Sequence, residues 1–295
     1  MKRIFLANDT SSGHCGSKAV MNSIYNSLSG HYIVGKHYVH VDTMADKTKE
    51  LIDKSEIVIV NGEGTIHHRN RAGTTLMEIL KYGQEQNKKT MLINTVFDNP
   101  TPYYNEVLQK LDYLSVREQL SYENAIKCGA NPEILLDSCV DPINISNAST
   151  LIPDFRNKIV LGGAHPAVMC YNIFKTLDFP ELSCQMRSPL SSFNTIIQSL
   201  KKAQLYITGQ HHGLYAAGIA GIPFVVAPSN SHKIEGLIKW SGLPIKICNT
   251  RDEIMKQIRF ATDIKNKHIY DDFHKFITSG NFLNKEKMEK ILNEI

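Results

Sequence analysis

Short, strongly apolar runs recur along this chain, each closing on a polar turn that leads into a segment of helical period. Ile4-Phe5-Leu6-Ala7 precedes a helical stretch from Ser17 to Leu28, and Tyr32 to His40 reads as a second strand. Ile57-Val58-Ile59-Val60 stops at Asn61-Gly62-Glu63-Gly64; Met91-Leu92-Ile93-Asn94 and Tyr113-Leu114-Ser115-Val116 follow, with helical patterns between them. Continuous apolar strands alternating with helices predict a parallel sheet covered on both faces. After Asp141-Pro142 the stretch INISNASTLIPDFRN is polar and without period, which places a domain boundary there. A second set begins at Lys158-Ile159-Val160-Leu161 and continues with Leu205-Tyr206-Ile207-Thr208, a helix Leu214 to Ala220, and Pro223-Phe224-Val225-Val226-Ala227. Arg251 to Ile295 is helical in period. The expectation is an α/β protein of two Rossmann-like domains, residues 1–145 and 146–295. They are expected to face a cleft that holds the active site.

Composition narrows the partners. Of 295 residues, 42% are hydrophobic and 21% charged, which excludes wholesale disorder. The net charge of +4 is too diffuse to argue for nucleic acid, though it suits an anionic small molecule. The opening MKRIFLANDTSS is too short in apolar residues for a signal-peptide core or a membrane span, so a cytoplasmic location is expected. The six cysteines are scattered without a CxxC pair and are expected as reduced, buried thiols. His31, His37 and His40, in or beside a strand, are expected at exposed positions and not at a metal. The C-terminal KEKMEKILNEI reads as a solvated amphipathic helix packing back across the domains; it leaves peripheral membrane contact open but lacks a basic-aromatic signature.

Polar residues collect where strands end, which is where ligands gather in open parallel sheets. Asn8 to Lys18 contains Gly13, Gly16 and Ser17 before a helix. Its small residues would admit an anion, yet it lacks nucleotide-loop spacing, and taken alone it reads as a turn capped by Ser17. In Gly62-Glu63-Gly64-Thr65-Ile66-His67-His68-Arg69-Asn70-Arg71, Glu63 is either a general base for a hydroxyl or a helix N-terminal acid. His67, Arg69 and Arg71 there could hold a phosphate or carboxylate. Adjacent His67 and His68 on a helix would point about 100° apart, which disfavours a metal. Gln210, His211 and His212 crowd a turn before a small-residue helix, and Ser229-Asn230-Ser231-His232-Lys233 offers hydroxyls and a cation suited to phosphate.

Ile207 to Leu243 resembles the polysaccharide pyruvyltransferase family, through Gln210-His211-His212-Gly213, Gly221-Ile222-Pro223 and Lys233-Ile234-Glu235-Gly236-Leu237. Gly16, Gly62-Glu63-Gly64, Ser115-Val116-Arg117-Glu118, Gly129 and Asp137-Ser138-Cys139-Val140-Asp141-Pro142 extend the likeness in consistent order from Leu6. The resemblance implies two Rossmann-like domains in a GT-B-like arrangement. It also implies transfer of pyruvate from phosphoenolpyruvate to two hydroxyls of a sugar or glycan, as a ketal, in cell-surface glycan biosynthesis. His212 matches the family's histidine and is the candidate for proton transfer or for stabilising the departing phosphate. Arg117 and Lys233 are the candidate anion holders, joined on the donor side by Gln210, His211, Asn230 and Ser231. Glu63 would be the acceptor-side base, a role read from this sequence and not from the resemblance, since the family usually has glycine there; Gly16, Ser17, His67 and Arg69 lie in the nearby loops. No metal or other cofactor is expected.

Two further positions depart from the family pattern. Gln210 stands where the family has arginine, and a neutral amide cannot form the bidentate pair that arginine makes with an anion. Ser17 replaces the acid of the early loop. Either the donor differs or Arg69, Arg71 or Lys233 compensates. The competing reading is a glycosyltransferase of the same fold using a nucleotide-activated sugar, with His165-Pro166, Ser229 and Ser231 resembling the His-Pro and serine motifs of enzymes that use cytidine-monophosphate sugars. In that case His165 would be the phosphate partner. A third reading is an inactive, glycan-binding member.

Overall fold

The computed structural model describes residues 1–39, 43–68, 70–98, 102–145, 153–166, 168, 170–185 and 192–295. They form two compact α/β units. Unit 1 comprises Met1–Ser12, Ser23–Ser138 and Phe282–Ile295; unit 2 comprises Gly13–Asn22 and Cys139–Asn281.

Unit 1 is built on six parallel strands among the described residues: β1 (Arg3–Ala7), β2 (Tyr32–His37), β3 (Ile57–Glu63), β4 (Lys89–Thr95), β5 (Tyr113–Val116) and β6 (Glu133–Ile134), in the order β2-β1-β3-β4-β5-β6. The order reverses between β1 and β3, the switch point at which such sheets open to ligands. Helices α1 (Cys15–Ser27), α2 (Asp46–Asp53), α3 (Arg71–Glu85), α4 (Pro102–Gln109) and α5 (Gln119–Lys127) connect the strands. Val58 and Val60 of β3 pack with Leu76, Ile79 and Leu80 of α3 in one apolar core. Gly83 permits the close approach, since a Cβ there would stand 3.1 Å from Val58 Cγ2.

Unit 2 carries the parallel strands β7 (Ile159–Leu161), β8 (Leu205–Thr208) and β9 (Phe224–Val226), in that order. Its helices are α6 (Cys170–Phe174), α7 (Phe193–Leu200), α8 (His211–Ala220), α9 (Lys233–Ser241), α10 (Arg251–Thr262) and α11 (Lys267–Ile277). Nearly every residue of α8 is buried, and Gly218 lets Phe273 and Ile277 of α11 lie against it. The helix stops at Gly221, whose φ of 68° is the left-handed conformation glycine adopts without a Cβ penalty.

The division falls between Ser138 and Cys139, ahead of the 145/146 boundary read from the polar linker, and it is not sequential. The start of α1 is counted with unit 2, and the last helix, α12 (Lys285–Glu294), with unit 1. There α12 is tied by Lys287 to Glu133 and by Glu289 to His31, with His31 Nε2 3.2 Å from Glu289 Oε2. Three other expectations change. β3 runs on through Glu63 instead of stopping at Val60. His67 and His68 lie in a turn before α3 and not on a helix. His37 is 1% exposed, at the buried end of β2, so its position is not an exposed one; His40 lies outside the described residues. All six cysteines are free and buried.

Candidate active site

In unit 2 the polar residues singled out from the sequence stand at the carboxyl ends of β7, β8 and β9. The chain leaves β8 at Thr208, whose hydroxyl accepts from the Gln210 N–H at 3.0 Å, and enters α8 at His211. This short turn fixes His212, which is 4% exposed. Its ring stands edge-on to those of His14 and His211, with centroids 4.9 and 5.6 Å away. The backbone of Gly16, in the first turn of α1, lies against the same imidazole. Both histidines therefore sit where the small-residue turn and α8 predict, and Gly16 is brought to them.

Gln210 is used differently from the expected donor contact. Its side-chain carbonyl accepts from the Cys184 N–H at 3.3 Å, and its amide donates to Ser183 Oγ at 3.1 Å. The side chain thus pins the segment after the β7 turn, a role a sequence separation of 26 residues conceals. Ser17 hydrogen-bonds with His14 through its own N–H at 3.3 Å. Cys15 N–H donates to Cys184 O at 3.0 Å, and the Cys15 thiol, followed by burial, pushes the Cys184 thiol well above its ordinary value. A thiol so raised is a poor nucleophile.

After β9, Lys233 opens α9 and donates from Nζ to Asn230 Oδ1 at 2.5 Å. Ser231 is buried, and its Oγ has no partner among the described residues. His165 follows β7; burial first, and next the positive charge of Lys233, hold its imidazole below the usual 6.5. His165, Ser231, Lys233 and the start of α9 thus form a polar, cationic group in one unit.

In unit 1, Glu63 ends β3 with φ 40° and is buried, an uncommon backbone for a carboxylate side chain. Gly62 beside it is obligatory, because a Cβ there would meet Thr95 Oγ1 at 2.1 Å. His67 Nδ1 lies 2.7 Å from His68 Nδ1, and His68 faces Asp98 at 3.6 Å. Asn70, not Glu63, caps the following helix by accepting from Gly73 N–H at 2.7 Å, which removes the helix-cap reading of Glu63. Arg69 lies outside the described residues. Arg117 is corrected outright: it is 1% exposed and ion-paired with the equally buried Asp137, so its charge is neutralised inside the unit. Residues that the sequence reading passed over are Asn8 and Asn94, buried at the ends of β1 and β4. The signal available was that each closes an apolar run with an amide.

No curated protein matches the chain. Among solved structures it is similar to S. aureus MnaA bound to UDP (11% identity, TM-score 0.63, covering 100% of this chain and 96% of that one). It is also similar to HepE of Anabaena in complex with UDP-glucose (8%, 0.60, 100% of each chain). A third is the UDP-GlcNAc 2-epimerase of Neisseria meningitidis bound to UDP-GlcNAc (10%, 0.55, 100% and 99%). These likenesses establish the fold, two Rossmann-like units of the GT-B class. Among the described residues no helix is long and apolar enough to cross a membrane. The model of the family described as polysaccharide pyruvyl transferase matches residues 14–231, from the histidine-bearing loop before α1 to the serine before α9. This protein belongs to the polysaccharide pyruvyl transferase family.

Proposed function

We propose that this protein transfers the pyruvyl group of phosphoenolpyruvate to two hydroxyls of a sugar, forming a cyclic ketal and releasing inorganic phosphate. The observation that carries the reading is the placement of His212. A buried imidazole is held by the Gly16 backbone at the start of α8, in the unit that also presents Ser231 and Lys233 at neighbouring strand ends. Family membership supplies the reaction class.

In this reading Lys233, with Asn230 and Ser231, receives the phosphate and carboxylate of the donor at the N-terminus of α9, where the helix dipole favours negative charge. A proton reaches the enol methylene, and a sugar hydroxyl attacks the adjacent carbon and loses its proton. The carbon–oxygen bond to phosphate breaks, and the second hydroxyl closes the ring with loss of its own proton. His212 serves proton transfer or the departing phosphate, and Glu63 receives a proton from an acceptor hydroxyl. No metal or other cofactor enters these steps. Gln210 does not replace the family arginine, because its amide is committed to Ser183 and Cys184. Among the candidate cations, Lys233 is the one this reading assigns to the donor, because it stands in the same unit as His212.

The test is thermal stability of the purified protein against phosphoenolpyruvate, cytidine monophosphate and uridine diphosphate. A ligand at roughly a hundredfold its Kd stabilises by about 2.7 kcal/mol. The expected result is a shift with phosphoenolpyruvate alone, lost in His212→Ala and Lys233→Ala. Glycosyl transfer from a nucleotide sugar is the second reading, favoured by the closeness of His165 to Lys233 and by the UDP and UDP-sugars bound to the structural relatives. A shift with a nucleotide alone would replace the first reading by this one.

A further inference from the structure

At the carboxyl ends of β1, β3 and β4, unit 1 carries three buried asparagines: Asn8, Asn61 and Asn94. They stand side by side because Ala7 pairs with Val60 and Asn61 with Ile93 in the parallel ladder. They also flank the point at which the strand order reverses. Asn8, just after β1, and Asn94, the penultimate residue of β4, have φ of 62° and 53°, left-handed backbone that breaks the extended conformation at each strand end. Strained, buried polar residues gathered at strand ends are a mark of ligand sites.

The surrounding hydrogen bonds fix how each amide is turned. Asn8 Nδ2 donates to the Asn61 carbonyl oxygen at 2.6 Å and to Thr65 Oγ1 at 3.1 Å. Asn94 Oδ1 accepts from the Ser138 N–H at 3.1 Å. Asn8 Oδ1, an acceptor, and Asn94 Nδ2, a donor, are then left buried with no partner among the described residues. Buried polar atoms are nearly always paired, so this edge is built for a ligand that supplies both kinds of bond. A hydroxyl does so, since it donates and accepts; an ionised phosphate or carboxylate has no proton for Asn8 Oδ1. The charge agrees, because Arg117 is neutralised by Asp137 and Asp9 by Lys36, while Glu63 lies buried at the same edge, so among these described residues no cation is left to favour an anion.

We propose that Asn8 and Asn94 bind hydroxyl groups of an uncharged sugar and thereby set acceptor specificity. The identification of that sugar as the acceptor rests on the pyruvyl transfer proposed above; the hydroxyl site itself does not. Asn94→Asp is the discriminating variant. It keeps the oxygen that serves Ser138, tolerates left-handed backbone, and exchanges the unpartnered donor for an acceptor that also carries negative charge. Asn94→Gly, which suits the same backbone and deletes the amide, is the second variant.

The full chain is titrated, by saturation-transfer difference NMR, with methyl glycosides of glucose, galactose, mannose, N-acetylglucosamine and N-acetylmannosamine, and separately with phosphoenolpyruvate. At least one glycoside binds the parent protein. Its Kd rises about tenfold or more in both variants, with the fold intact by circular dichroism and the phosphoenolpyruvate response unchanged. Absence of binding by every glycoside, or binding unaltered in both folded variants, overturns the proposal. Loss of glycoside binding as expected, with no phosphoenolpyruvate response in the parent, would sink the pyruvyl donor and leave the hydroxyl site standing.

Discussion

Gly16 lies so close beneath His212 that a Cβ at position 16 would stand 2.3 Å from the ring carbon Cγ and 2.4 Å from Cβ of the histidine. Neither atom is the far end of a flexible side chain, so any larger residue at 16 displaces the imidazole or the start of α1. The pairing gives the early glycine a physical reason: it is the surface on which the histidine rests.

Gly16→Ala is therefore expected to lower stability by about 1–3 kcal/mol through overpacking. It should also lower turnover about a hundredfold, the cost of a reacting group moved by about 1 Å. Most of the stability returns in Gly16→Ala/His212→Ala, because the clash partner is gone. Urea unfolding of the parent, both single variants and the double variant measures this coupling; additive effects would contradict the contact.

The Arg117–Asp137 pair is fully desolvated, so removing one partner strands a buried charge. Arg117→Met and Asp137→Leu are each expected to cost about 3–5 kcal/mol, whereas the double variant is much less affected. A single variant that unfolds at the parent's urea midpoint would show that the pair is not buried.

Gln210→Ala leaves the Cys184 N–H and Ser183 Oγ without their amide partner. A loss of about 1–3 kcal/mol is expected, and increased proteolysis after Ser183 should accompany it. Gln210→Glu still accepts from Cys184 N–H and is expected to lose less. Equal losses in the two variants would place the effect elsewhere.

His165 is held below its usual 6.5 by burial and by Lys233. Its folded value lies under its unfolded one, so its contribution to stability is complete above 6.5 and is lost as pH falls through the folded value. Lys233→Met removes the repulsion and should raise the His165 titration midpoint, while burial keeps it under 6.5. Ring-proton titration by NMR, assigned with His165→Gln, reads this directly. A midpoint unmoved by Lys233→Met would separate the two side chains.

Much of the architecture was legible in the sequence because it is local. Ile57-Val58-Ile59-Val60 and Leu205-Tyr206-Ile207-Thr208 are apolar runs of strand length, and both are strands; the small-residue segment after Gln210 is α8. Glu63, Gln210, His212 and Lys233 were visible as polar residues at strand ends, which parallel topology alone brings to one edge of each sheet. What those side chains touch was not legible, because their partners are distant in sequence. Gln210 meets Ser183, and Arg117 meets Asp137. His37 reads as exposed from the sequence alone because alternation along β2 does not reveal what covers its end.

The sequence by itself thus determined the strand and helix order, the parallel topology, the family and the identity of the polar residues at the strand ends. Only the tertiary structure decided that Gly16 supports His212, that Arg117 is spent on Asp137, and that α12 belongs to unit 1. Strand and helix formation follow from periodicities a few residues long. Charge pairing, amide orientation and steric support are instead set by contacts that form only when chain segments far apart in sequence are packed together.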